Sequence, residues 1–203
     1  MLKLNQKYIE LVNNEEKELI DIFSEIDNNT FNNSKKVLDA FHKYNISESD
    51  LNGTTGYGYN DIGRDKIESI FAYILDTEDA LVRTQIISGS HAISTALFAI
   101  LRPNDTLLTI TGTPYDTMHE VIGIKPNNSS LMSYNINYKE IDLKDNDFDY
   151  DKIKEKIENN NNIKMIHIQR SRGYSLRDSL DVNKVNKVIS FIKNINKDII
   201  IFV

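Results

Sequence analysis

Residues 88–91 read Ser-Gly-Ser-His, at the junction between an apolar β-like run (82–87) and a long apolar helical pattern (90–101). Three small residues there let the backbone approach a ligand closely. The first turn of the following helix presents unpaired N–H groups at the positive end of its dipole. That combination suits phosphate. The candidate donors are the amides of Gly89, Ser90 and His91 and the hydroxyls of Ser88 and Ser90. The pattern is not G-x-G-x-x-G, and it is not a Walker loop, which needs a lysine that is absent. A tight turn with Ser90 as N-cap would use the same residues.

Three other segments carry residue types with chemistry. In "TGTPYDTMHE" (111–120), Tyr115 follows Pro114 at the start of a helix, with Asp116 as a plausible cap. Its ring could stack on a flat cofactor or cover the core edge. "GYGYNDIGRD" (56–65) sets Tyr57, Tyr59 and Arg64 among glycines that let a loop fold tightly. Phenol hydroxyls with a guanidinium suit a phosphate or a carboxylate. "IQRSRGYSLRDS" (168–179) places Arg170, Arg172 and Arg177 after a buried strand. Three arginines there suggest an anion such as a substrate carboxylate, with surface salt bridges accounting for at least one.

Other chemistries find no support. The chain has no cysteine, which excludes disulfides, thiolate catalysis and cysteine–zinc sites and fits a cytoplasmic location. His42, His91, His119 and His167 show no metal-ligand spacing, and His167 lies in an apolar strand as a core residue. No metal site is expected. There is no G-x-S-x-G elbow. The acidic run 142–151 does not match a calcium loop and reads as a solvated loop opening a helix. A net charge of -6 argues against nucleic acid as a partner. No apolar run is long enough to span a bilayer, and the charged start lacks a secretion signal, so no membrane partner is expected.

The elements that must hold these segments fall into two regions. Residues 1–50 read as a helical arm. Tyr8, Leu11 and Val12, then Leu19, Ile20, Phe23 and Ile26, form an apolar stripe that "DNNTFNN" interrupts. Val37, Leu38, Phe41 and Tyr44 form a second stripe, and either the main domain or another subunit would cover them. From residue 51 helices alternate with strands. Helices are predicted at 65–75, 90–101, 115–124, 149–158 and 182–195, and strands at 80–87, 106–110, 138–143, 163–169 and 198–203. Such alternation predicts a three-layer α/β domain, its mostly parallel sheet covered on both faces. The chain stops inside its last apolar strand, so an N-terminal portion of a longer protein is expected, or else a natural terminus in an edge strand.

Taken together, residues 54–75, 79–105, 111–124 and 168–179 resemble the aluminium-resistance protein family. That family is related to methionine γ-lyase and cystathionine β-lyase, which are pyridoxal 5′-phosphate (PLP) enzymes of fold type I. The resemblance runs from about residue 51 to residue 203. It implies an incomplete fold type I large domain over 51–203, a PLP cofactor, a sulfur-containing amino acid as small-molecule substrate and a carbon–sulfur lyase activity. The Ser88–His91 turn would hold the cofactor phosphate through amides and Ser90, with Tyr115 stacking on the pyridine ring. Tyr57 or Tyr59, with Arg64, would reach the phosphate of a neighbouring subunit, which implies a homodimer or homotetramer with shared sites. Gln169, Arg170 and Ser171 would lie at the cofactor's edge beside the substrate. The lysine that binds the cofactor's aldehyde and the acid that pairs with its ring nitrogen are expected past Val203, so no catalytic residue is assigned within the chain, which taken alone would be inactive. The alternative is a non-catalytic α/β module that binds a phosphorylated ligand or a protein partner.

Overall fold

The structure, a computed structural model, describes residues 5–53 and 61–203. The chain divides into two units, Met1–Gln85 and Ile86–Val203. Among the described residues no helix is long and apolar enough to cross a membrane.

The first unit is helical. Helix α1 (Gln6–Glu18) starts where the Asn5 side chain accepts the Lys7 amide, and α2 (Ile20–Lys43) follows after one residue. The expected interruption at "DNNTFNN" does not occur, because α2 runs through it and the break falls at Leu19. Hydroxyls that would favour a turn are absorbed by the helix itself. Ser24 donates to the Ile20 carbonyl at 2.8 Å and Thr30 to the Ile26 carbonyl at 2.9 Å, each one turn back. The apolar stripe stays exposed at Tyr8, Leu11, Ile20, Phe23 and Ile26. Helix α3 (Ile62–Leu75) is capped by the Asp61 side chain, which accepts the Arg64 amide. It meets the end of α2 through the edge-to-face pair Tyr44–Tyr73, with the Lys43 ammonium 3.8 Å from the Tyr73 ring centre.

Residues 80–87 are not a strand, against the expectation from their apolar β-branched pattern. A strand exists only through a ladder with a neighbour, and none pairs with this run among the described residues. Its polar groups go to α3 instead. The Val82 amide donates to Glu68 Oε1 at 2.9 Å, and the Arg83 guanidinium pairs with the same carboxylate.

The second unit is the expected three-layer α/β arrangement. In chain order it comprises α4 (Gly89–Ile100), β1 (Thr106–Thr109), α5 (Asp116–Ile122), β2 (Asn137–Glu140), α6 (Tyr150–Glu158), β3 (Ile163–His167), α7 (Val182–Ile195) and β4 (Ile200–Phe202). The four strands are parallel in the order β2-β1-β3-β4, with Thr109 opposite Glu140 on one side and His167 on the other. Alternation along each strand feeds two cores. Leu108, Ile110, Ile166 and Ile168 pack with Ile153 and Ile157 of α6 and with Val185, Val188 and Ile192 of α7. Leu107 and Met165 pack on the opposite face with Leu97 of α4 and with Met118 and Ile122 of α5. Strands buried on both faces explain why β1 and β3 read as near-continuous apolar runs.

The strand order fixes where a ligand can sit. From β1 the chain passes to β2 on one side, then crosses back through α6 to β3 on the other side and on to β4. The order therefore reverses between β1 and β3. The loops leaving the carboxyl ends of those two strands part at that point and open a crevice.

Candidate functional site

A cleft of ≈ 570 Å³ opens at this switch point. Thr111, Gly112 and Thr113 from the β1 loop and Gln169, Arg172 and Arg177 from the β3 loop line it, with Asp142 and Asn146 from the segment after β2. The two loops are tied across the switch. The Gln169 amide donates to Thr111 Oγ1 at 3.1 Å, and the Tyr115 amide donates to Gln169 Oε1 at 3.0 Å.

Tyr115 is held at three points. Its amide is on Gln169, its hydroxyl bonds the Ser171 hydroxyl, and its ring edge lies over Gly173. Gly173 has φ +56°, and a Cβ there would come within 2.6 Å of Tyr115 Cε1. Glycine is required twice over, for the left-handed backbone and for the ring's approach. Gly173→Ala should cost about 1–3 kcal/mol and displace the ring. Urea unfolding together with the Tyr115 ring NMR signals measures both effects, and an unshifted ring would mean that it does not rest on this loop.

The helix start of α4 departs in one respect from the sequence reading. The N-cap is Ser88, not Ser90: its extended backbone precedes the helix and its Oγ accepts the His91 amide at 3.1 Å. The His91 amide is therefore already used, and the His91 ring Nδ1 faces the Ile87 amide at 3.4 Å. Among the described residues no protein acceptor takes the amides of Gly89 and Ser90. A Cβ built on Gly89 would meet nothing within 4 Å. The anion pocket thus reduces to two open amides and the half-buried Ser90, with free space above Gly89. These groups fit a phosphate, because first-turn amides and the helix dipole complement negative charge.

The arginines of the β3 loop divide. Arg177 Nη2 donates to the Gln169 carbonyl at 3.0 Å and the Ser171 carbonyl at 2.7 Å, while Nη1 donates to the Asp178 carbonyl at 2.9 Å. Partial burial pulls its guanidinium somewhat below the ordinary arginine value, and the nearby Tyr115 hydroxyl opposes that shift. Arg170 Nε donates to the Leu180 carbonyl at 3.2 Å. Arg172 is exposed on the cleft wall. The sequence suggests an anion for this group, with surface salt bridges accounting for at least one of the three. Two of them serve loop carbonyls, which no count of charges could have revealed.

In the helical unit Arg64 borders a second cleft of ≈ 400 Å³, shared with Asp50, Asp61, Arg83, Thr84 and Gln85. Nearby cations are paired, Lys66 with Asp50 at 2.8 Å and Arg83 with Glu68. Among the described residues no carboxylate pairs with the Arg64 guanidinium. Tyr57 and Tyr59 lie outside the described residues. Among the described residues no group of His, Asp and Glu could hold a metal ion.

Known proteins resemble this chain over most of its length. A family model described as methionine gamma-lyase matches residues 8–203. A Bacillus subtilis protein, YnbB, itself uncharacterized, is 44% identical over 191 residues, which cover 93% of this chain and 45% of YnbB. The crystal structure of a Clostridium acetobutylicum protein, provisionally named a cystathionine beta-lyase involved in aluminium resistance, superposes with TM-score 0.92 at 42% identity over 98% of this chain and 48% of that one. A Clostridium novyi structure, named a carbon-sulfur lyase involved in aluminium resistance, gives TM-score 0.90 at 38% identity over 98% of this chain and 48% of that one. The chain spans about half the length of these relatives.

Proposed function

Because the chain belongs to the methionine gamma-lyase family, we propose that it acts as a PLP-dependent carbon–sulfur lyase on a sulfur-containing amino acid, built on a fold type I large domain. When bound, PLP supplies an electron sink that permits removal of the amino acid's α-proton and cleavage of a carbon–sulfur bond. Two observations carry the reading, the open amides at the start of α4 and the aromatic ring clamped at the switch point.

The chain's own residues divide the work. The amides of Gly89 and Ser90 and the Ser90 hydroxyl would hold the phosphate, while Ser88 holds the His91 amide and so shapes the helix start. Tyr115 would stack on the pyridine ring. Gln169, which reaches both loops, would stand at the cofactor's edge with Ser171, and Arg170 would stand beside the substrate. Arg64, with Tyr57 or Tyr59, would reach the phosphate of a second copy, so the complete site belongs to a homodimer or homotetramer. The cytoplasm, where such small substrates occur, is the proposed location.

Titrating PLP into the protein tests the reading. Saturable binding is expected. Arg64→Ala should weaken it by about 1.5–3 kcal/mol, the range for a hydrogen bond to a charged group. Absence of saturable PLP binding to the wild type would overturn the proposal. Equal affinity for PLP and inorganic phosphate would favour a phosphate-binding module without catalysis.

A further inference from the structure

We propose that Arg177 is the positioning residue for Tyr115, acting through the loop on which the ring rests. Tyr115 stands just before α5, and three contacts tie it to the β3 loop: Gln169 Oε1 on its amide, the Ser171 hydroxyl on its phenol, and the bare Cα of Gly173 under its ring edge. All three belong to one five-residue stretch, 169–173, whose side chains are exposed except for the half-buried Gln169. A short exposed loop cannot hold such a geometry by packing, since ordering each of its residues costs conformational entropy.

What orders it is the guanidinium. One nitrogen, Nη2, gathers the carbonyls of Gln169 and Ser171, and the other, Nη1, takes the carbonyl of Asp178 on the return of the loop. Two of those carbonyls belong to the residues that touch Tyr115. The Gln169 carboxamide closes the circuit by donating from Nε2 to the Ser171 carbonyl at 3.3 Å. The return strand of the loop is anchored in turn, since the Asp178 amide donates to Asn146 Oδ1 at 3.3 Å and Lys184 Nζ to the Asn146 carbonyl at 2.8 Å. Arginine suits the task because its planar fork offers several donors in fixed directions, where a lysine ammonium is a single point. Its positive charge is spent on carbonyl dipoles. Arg172, exposed on the same cleft wall, is a cation open to an anionic ligand.

This inference rests on the proposed function only in taking the Tyr115 ring as the face presented to the cofactor. The experiment separates the two. Arg177→Ala and Arg177→Lys are compared in the full chain with Arg102→Ala. Arg102 grips the carbonyls of Phe98, Ala99 and Leu101 at the other end of α4, so its loss removes a similar clamp elsewhere. In Arg177→Ala the Tyr115 ring signals, assigned with Tyr115→Phe, should move toward those of a free tyrosine. Amide exchange over 169–176 should accelerate about tenfold or more, and Arg102→Ala should change neither. Arg177→Lys, which keeps the charge on a single donor nitrogen, should restore part of the protection and serves as the reporter if the alanine variant fails to fold. PLP affinity in Arg177→Ala should drop about tenfold, the loss of one well-placed contact. Unchanged ring signals and unchanged loop protection in a folded Arg177 variant would overturn the inference. A released ring with unaltered PLP affinity would uphold it while removing Tyr115 from the cofactor.

Discussion

Replacing Ile166 by alanine should destabilise the protein by about 2–5 kcal/mol. Ile166 is fully buried on β3, a strand with a neighbour on each side, β1 through Leu108 and β4 through Ile201. Its face of the sheet is covered by α6 and α7 through Ile153, Ile157, Val185, Val188 and Ile192. A cavity there cannot close by moving the strand without breaking two ladders, and it cannot close from above without shifting two helices. The cost should therefore fall in the upper part of the range for such truncations. Urea unfolding followed by circular dichroism measures it. A loss below about 1 kcal/mol would mean that this face is not packed as described.

The second large effect is a dependence on pH that comes from one residue. His167 lies at the carboxyl end of β3, nearly buried, its ring 5.5 Å from that of Phe202. Burial lowers its pKa from 6.5 to about 4, so the folded protein keeps it neutral at pH values where the unfolded chain would protonate it. The unfolded state then binds the extra proton, and stability must fall as pH falls from about 6.5 toward 4. The full shift corresponds to about 3 kcal/mol, and residual solvent contact brings the expected loss to about 2 kcal/mol. Asp50 and Asp149 also lose stabilising contacts on acidification. Lys66 holds the first and the Lys152 amide the second below the usual carboxylate value, so both act at lower pH than His167. Unfolding free energies at pH 7 and pH 4.5 should differ by much less in His167→Gln than in the wild type. Equal differences would remove His167 as the cause.

Much of this architecture was readable because the physics that sets it is local. Residues 182–195 form a helix as predicted, since Val185, Val188 and Ile192 recur on one face and Asp181 caps the start by accepting the Lys184 amide. Strands β1 and β3 stood out as short apolar runs because both of their faces are buried. Several of the failures share a cause, which is dependence on groups distant in sequence. Residues 80–87 have the composition of a strand but no ladder partner among the described residues, so Glu68 takes their polar groups. The site shows the same division. The phosphate-suited turn was legible from three small residues, yet whether Ser88 or Ser90 caps the helix turned on one backbone conformation. That choice removed the His91 amide from the set of open donors. Tyr115 was legible as a ring at a strand's carboxyl end. Its clamp was not, because Gln169, Ser171 and Gly173 lie more than fifty residues away. Arginines 170 and 177 announce charge in the sequence, but their acceptors are carbonyls, which every residue carries.

The central claim is that the first-turn amides of α4 hold the phosphate of the cofactor, and Gly89→Pro tests it with little else disturbed. Gly89 is the first residue of the helix, where proline is well tolerated because no intrahelical partner exists for its missing N–H. Ser88, at φ -160° and ψ 164°, already has the extended backbone that a residue before proline adopts, and no atom lies within 4 Å of a Cβ at 89. The substitution deletes one donor and leaves the helix. PLP titrated into both proteins should bind the variant about tenfold to a hundredfold more weakly, with the melting temperature changed by no more than a few degrees. The same dissociation constant for both proteins would contradict the account.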